Sequence, residues 1–227
     1  FPDHLSPADP LNPVYHKDLK EYYGAKANVF LNQKKDGWLV VNKNSHHSLA
    51  TLKKSPAKRV YFEVNGDLHK SRYLIGGHNQ ENIAAACRVA EILGIPAKTI
   101  YEAAENFSGL EHHLELVAEI RGVKFYNDSA STMPQATLAA ARSFDDSIIL
   151  ILGGVNKGYD LKNFARDLSK LWQPLVVILI GQTSQELYRH LKKMESKLAF
   201  SPRFAKGKDI KPIIEYAFGI ASATHIP

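Results

Sequence analysis

At 227 residues, 44% hydrophobic and 23% charged, the chain is long enough for one large or two small domains with a sizeable core, which excludes a disordered or fibrous protein. The net charge of +6 is spread along the sequence, which argues against a nucleic-acid arm and fits anionic small-molecule substrates. A single cysteine, Cys87, forbids an intrachain disulfide, no run reaches the roughly 20 apolar residues of a membrane span, and Phe1-Pro2-Asp3-His4 has no signal-peptide pattern, so a soluble, cytoplasmic protein is expected, with no nucleic acid or membrane as partner.

In chain order, residues 14–31 read as a helix with apolar positions at Val14, Tyr22, Ala25 and Val29. Residues 37–42 and 59–64 read as short strands. After Gly76-Gly77, residues 78–93 carry a helical face of Ile83, Ala86, Cys87, Ala90 and Leu93, which places Cys87 as a buried small hydrophobe. Gly94-Ile95-Pro96 ends that helix and opens another, which runs to about Phe107. The pattern then changes. Residues 115–120 and 123–126 pair as strands around Arg121-Gly122, and Thr132-Met133-Pro134-Gln135 has the form of a capping box at a helix start. The apolar runs 148–152 and 175–180 read as buried strands, alternating with helices near 160–172 and 183–193, and a last helix starts near Lys211. Such alternation predicts a mainly parallel sheet with crossover helices, and a domain boundary falls near Ser108-Gly109.

Two strand ends carry chemistry: Asn127-Asp128-Ser129 after one strand, and Gly153-Gly154-Val155-Asn156-Lys157-Gly158 after the next. The expectation is that Asp128 and Lys157 stand on neighbouring loops at one edge of a parallel sheet, where open α/β sheets bind ligands. Asp128 could orient an amine or move a proton, or merely cap a helix, whereas capping is the expected role of Ser131 and Thr132. Lys157 offers a point charge to phosphate or carboxylate, or is an exposed turn lysine. Asn79 and Asn82, one turn apart, could read a purine edge or cap their helix. Asp3-His4 could ligate a divalent cation or be a frayed end. The pairs His46-His47 and His112-His113 lack zinc spacing and belong on the surface. Neither a dinucleotide fingerprint nor a P-loop occurs in these residues.

The ordered set Pro2-Asp3-His4-Leu5, Gly24-Ala25-Lys26-Ala27, Gly77-His78-Asn79-Gln80-Glu81-Asn82, residues 109–115, residues 122–129 and residues 150–158 resembles the Mur ligase family of peptidoglycan precursor synthesis. The resemblance implies an α/β protein: residues 1–108 as part of a central ATPase-type domain lacking the P-loop, and residues 109–227 as a Rossmann-like C-terminal domain with a mainly parallel sheet. It implies an ATP- and Mg2+-dependent ligase in which an acyl phosphate is attacked by an amine, with UDP-N-acetylmuramoyl-L-alanine and D-glutamate as substrates. Position by position, His4 and Lys26 would serve the metal, Lys26 as a carbamate. Asn79 and Asn82 would face adenine, and His113 the nucleotide phosphates. Asp128 would serve the terminal phosphate and the metal, and Thr132 and Lys157 would hold D-glutamate.

Departures from the family pattern are Ser6 for aspartate, His113 for arginine, Ala130 for lysine and Met133 for asparagine. A histidine at 113 lacks the bidentate fork of arginine. The resemblance also implies that the phosphate loop and the nucleotide-sugar domain belong to a preceding portion of the same protein, so that these residues alone do not catalyse. Another ligase of the superfamily, or a non-catalytic nucleotide- or partner-binding protein, is the alternative reading.

Overall fold

The computed structural model describes residues 19–44, 52–65, 70–156, 158–172, 175–194, 199–202 and 210–224. Within them the chain divides into two compact units, one ending at Leu110 and the other beginning at Glu111.

The first unit holds helix α1 (Leu19–Leu31), strands β1 (Trp38–Asn42) and β2 (Lys58–Phe62), and helices α2 (Gly77–Ile92) and α3 (Ala97–Asn106). The two strands are parallel, in register from Trp38 opposite Lys58 to Asn42 opposite Phe62. Ile83 and Cys87 of α2 meet Ile100 of α3, with Leu74, Ala90 and Ala104 packed around them. Cys87 is buried, as its place on the apolar stripe predicts. Helix α2 ends because Gly94 takes a φ of 76°, so that its own N–H reaches Glu91 O and the N–H of Ile95 reaches Ala90 O.

The second unit opens with a hairpin, β3 (Glu115–Ile120) and β4 (Val123–Asn127), joined by Arg121 and Gly122 at φ 52° and 81°. Positive φ at both turn residues gives the twist a two-residue hairpin needs. Helix α4 (Pro134–Ala141) follows, then β5 (Ile148–Gly153), α5 (Leu161–Leu168), β6 (Leu175–Ile180), α6 (Ser184–Lys192), β7 (Ala199–Pro202) and α7 (Lys211–Thr224). Strands β5, β6 and β7 form a parallel sheet in that order, the alternation the sequence predicts. The alternating side chains of β5 and β6 sort into two cores. Ile148, Leu150, Leu152, Val177 and Leu179 face α4, α5 and α6 through Leu138, Phe164, Leu168, Leu187 and Leu191. Ile149, Ile151, Ile178 and Ile180 face Ile213 and Ala217 of α7. The result is a three-layer helix–sheet–helix sandwich.

The structure corrects local expectations. Asp128 leaves a strand of an antiparallel hairpin: the tight Arg121-Gly122 turn leaves no room for a crossover, so β4 runs antiparallel to β3, and among the described residues it is not hydrogen-bonded to the parallel sheet. Its rings still lie between helical layers, Phe125 against Phe218 of α7 (5.8 Å) and Tyr126 against Phe144 just past α4 (5.0 Å). No capping box forms at α4: the N-cap is Met133, with no side-chain cap bond. Proline at the first helical position starts the helix one residue too late for Thr132 to cap it. Strand β7 was not foreseen.

Candidate active site

Register brings two loops of the second unit together. Glu115 lies opposite Asn127, so residues 111–114 before β3 face residues 128–132 after β4. Asp128 Oδ1 accepts the N–H of Leu114 at 2.9 Å, and His112 O accepts the N–H of Ala130 at 3.0 Å. Glu115 Oε2 accepts the N–H of His112 at 2.8 Å, and Asn127 Nδ2 stands 2.8 Å from His112 Nδ1. Asn127 Oδ1 in turn accepts the N–H of Ser129 at 3.1 Å. These bonds hold a backbone that is costly alone: His112 and Leu114 sit at φ 64° and 53°. Histidine tolerates that region, but for a bulky side chain it is an outlier that the surroundings must over-determine. Leu114 is buried, and the Asp128 carboxylate holds its amide. His113 is exposed, with Nδ1 2.8 Å from the carbonyl of Glu111. Thr132 is exposed two residues beyond Ala130, whose carbonyl takes its N–H. His113, Asp128 and Thr132 therefore lie on a pair of mutually fastened loops, Asp128 at their junction.

The loops after β5 and β6 meet backbone to backbone. A Cβ on Gly153 would run into the carbonyl oxygen of Ile180, and one on Gly181, at φ 72°, would come within 3.0 Å of the Gly154 nitrogen. Thr183 donates its N–H to Gly154 O at 3.1 Å. Beyond Gly154, Asn156 ties the turn: Oδ1 accepts from the N–H groups of Gly158 and Tyr159, and Nδ2 donates to Tyr159 O. Lys157 lies outside the described residues, between these anchored positions.

In the first unit, Asn79 Nδ2 donates to Ile75 O at 2.8 Å, so that amide braces the start of α2; Asn82, one turn on, is exposed. Lys26 is exposed on α1, its Nζ 5.6 Å from the centre of the Tyr22 ring. His4 lies outside the described residues, and among those described no group of three His, Cys, Asp or Glu side chains stands together. The described residues thus do not by themselves compose a magnesium site.

No family model matches the sequence. A protein of Thermoanaerobacter sp. (strain X514) named UDP-N-acetylmuramoylalanine–D-glutamate ligase is 34% identical over 210 residues, 82% of this chain and 44% of that protein. One of the same name from Alkaliphilus metalliredigens is 31% identical over 246 residues, 98% of this chain and 51% of that protein. Its counterpart in Natranaerobius thermophilus is 33% identical over 217 residues, 85% and 45% respectively. The chain belongs to the Mur ligase family. It spans about half the length of the curated relatives it matches.

Solved structures agree on the fold of this Mur ligase chain. The UDP-N-acetylmuramate-alanine ligase of Thermotoga maritima superposes with a TM-score of 0.58 at 15% identity, over 92% of this chain and 56% of that one. A folylpolyglutamate synthase of Mycobacterium tuberculosis, solved with ADP and AMPPCP, gives 0.65 at 13% identity, over 93% and 55%. Sequence reasoning about this Mur ligase chain missed Glu115 and gave Asn127 and Asn156 no task. The signal for Asn127 and Asn156 was local: asparagine immediately before a special loop bonds its own backbone two residues on, as both do here. Glu115 gave no such signal, since its bond depends on the left-handed turn at His112.

Proposed function

We propose that the whole protein joins D-glutamate to UDP-N-acetylmuramoyl-L-alanine at the expense of ATP. The observation that carries this is the 34% identity over 82% of the chain to a ligase of that name. In this reading residues 1–108 belong to the central ATP-binding domain and residues 109–227 to the C-terminal domain. The terminal phosphoryl group of ATP passes to a substrate carboxylate oxygen, releasing ADP. The amine nitrogen of D-glutamate then attacks the acyl carbon, a C–N bond forms, the C–O bond to phosphate breaks, and the amine loses a proton.

This chain's residues bind and orient. Asn79 and Asn82 face the adenine ring, His113 lies by the nucleotide phosphates, and Thr132 and Lys157 hold the incoming amino acid. Asp128 is the candidate catalytic carboxylate beside the transferring phosphoryl group. Its bond to Leu114 N–H supports that role by fixing the carboxylate on two loops at once, the positional accuracy such a step requires. In the family's chemistry magnesium would spread the charge of the transferring phosphoryl group, and His4 and a carbamylated Lys26 would be the residues of this chain that hold it.

The test is phosphate release by the purified whole enzyme. Release is expected to require ATP, UDP-N-acetylmuramoyl-L-alanine and D-glutamate together, and to fail with L-glutamate. Release with a folate acceptor instead would move the protein to the folylpolyglutamate class, and no release with either acceptor would leave a nucleotide-binding role.

A further inference from the structure

The two adjacent histidines of the 111–114 loop face partners of opposite kind. His113 Nδ1 is 2.8 Å from the carbonyl oxygen of Glu111. A carbonyl only accepts, so Nδ1 carries the hydrogen, and the neutral ring is left with a lone pair at Nε2. His112 is the reverse. Asn127 Oδ1 is committed to the N–H of Ser129 at 3.1 Å, and a backbone N–H can only donate, which settles the orientation of the amide. Asn127 Nδ2 is therefore the atom 2.8 Å from His112 Nδ1, and as it too only donates, Nδ1 must be the bare nitrogen. The neutral His112 ring then carries its hydrogen on Nε2. Glu115 pulls the other way, but its Oε2 is 3.7 Å from Nδ1, beyond hydrogen-bond reach, and already accepts the His112 backbone N–H at 2.8 Å.

We propose that Asn127 is a positioning residue that fixes His112 in the Nε2–H tautomer, so that His112, rather than its neighbour His113, presents a neutral N–H donor to a phosphate oxygen at this loop. The tautomer follows from the hydrogen-bond network alone; the phosphate rests on the ligase reading above. His113 can donate at Nε2 only after gaining a proton, whereas His112 needs none. The backbone of His112 is held as firmly as its ring, by Glu115 on its N–H and by Ala130 on its carbonyl.

The experiment is long-range proton–nitrogen NMR on the whole 227-residue chain labelled with 15N-histidine, at a pH where the rings are neutral. Resonances are assigned by their loss in His112→Gln and His113→Gln. His112 is expected to carry its hydrogen on Nε2 and His113 on Nδ1. Asn127→Asp replaces the donor by an acceptor and is expected to move the His112 tautomer ratio roughly fivefold or more toward Nδ1–H, the worth of one hydrogen bond, without moving His113. Asn127→Ala, which removes the donor and adds no charge, must lower the Nε2–H preference and decides the matter if the aspartate variant loses the amide spectrum of the fold. Glu115→Gln is expected to leave both tautomers alone. A wild-type His112 protonated on Nδ1, or a tautomer that neither Asn127 variant moves, overturns the proposal. Sodium tripolyphosphate is then titrated into the wild-type chain, and the His112 Nε2 resonance is expected to respond, less so in Asn127→Asp. Indifference of His112 to tripolyphosphate would overturn the donor role, while the ligase reading stands or falls separately on D-glutamate-dependent phosphate release.

Discussion

Asp128 shows how one side chain can serve structure and chemistry together. Its Oδ1 holds the amide of Leu114, a buried bulky residue in left-handed conformation, so removing the carboxylate strands a half-buried donor. Asp128→Ala is expected to cost about 1–2 kcal/mol in urea unfolding, whereas Asp128→Asn keeps an acceptor and should cost less than half as much. Equal losses for the two variants would show that the bond to Leu114 is not what Asp128 contributes. Cys87 makes a second case. Burial, and then the nearby Glu91 carboxylate, raise its thiol pKa above the ordinary value. The folded state therefore keeps its proton longer than the unfolded one. That contribution to stability is full below the unfolded thiol's pKa and lost as pH climbs through the folded one. Alkylation of Cys87 by iodoacetamide should be slow in the native chain, become faster at alkaline pH, and reach the rate of a free thiol only on unfolding.

Among the elements, α5 carries the second unit most plainly. Leu161, Phe164, Ala165 and Leu168 recur at helical spacing and all are buried, while Asp160 caps the helix by accepting the N–H of Asn163 at 2.9 Å. Leu168 is fully buried. Leu168→Ala is expected to cost about 2–5 kcal/mol, measured by chemical denaturation. The continuous apolar runs of β5 and β6, and the alternation that set α5 between them, made this part legible in the sequence, where apolar pattern and burial coincide. Legibility fell where geometry depends on what lies across the gap. Strand β7 is four residues ending in proline, and its strand character comes from pairing with β6. Asn127 and Glu115 meet His112 only because the hairpin register sets one loop against the other. Thr132 matched a capping pattern that the proline at 134 overrode. Asp128, Lys157, Asn79, Asn82 and His4 were legible as candidates from the residues, Lys26 and His113 entered through family resemblance, and the bonds around Asp128 and Asn79 entered only with the fold.

For the molecule as a whole, the division at Leu110 and Glu111 has a convenient reporter. The chain has two tryptophans, Trp38 in the first unit and Trp172 in the second. With Trp38→Phe the emission follows the second unit, and with Trp172→Phe it follows the first. Adding Leu168→Ala to each is expected to lower the denaturation midpoint seen by Trp172 by more than that seen by Trp38. Equal displacement would mean that the two units unfold as one cooperative body.

The far core of the second unit has a consequence for how the protein is made. Ile149, Ile151, Ile178 and Ile180 line one face of the parallel sheet, and the helix that covers them, Lys211–Thr224, is translated after all of them. At about 5–20 residues per second, the ribosome needs on the order of a few seconds to travel from the end of β6 to the end of that helix. Throughout that interval the nascent chain carries an isoleucine-rich surface with its cover unmade. Its exposure to aggregation and its need for a chaperone peak in that interval, between the making of the strands and the making of their cover.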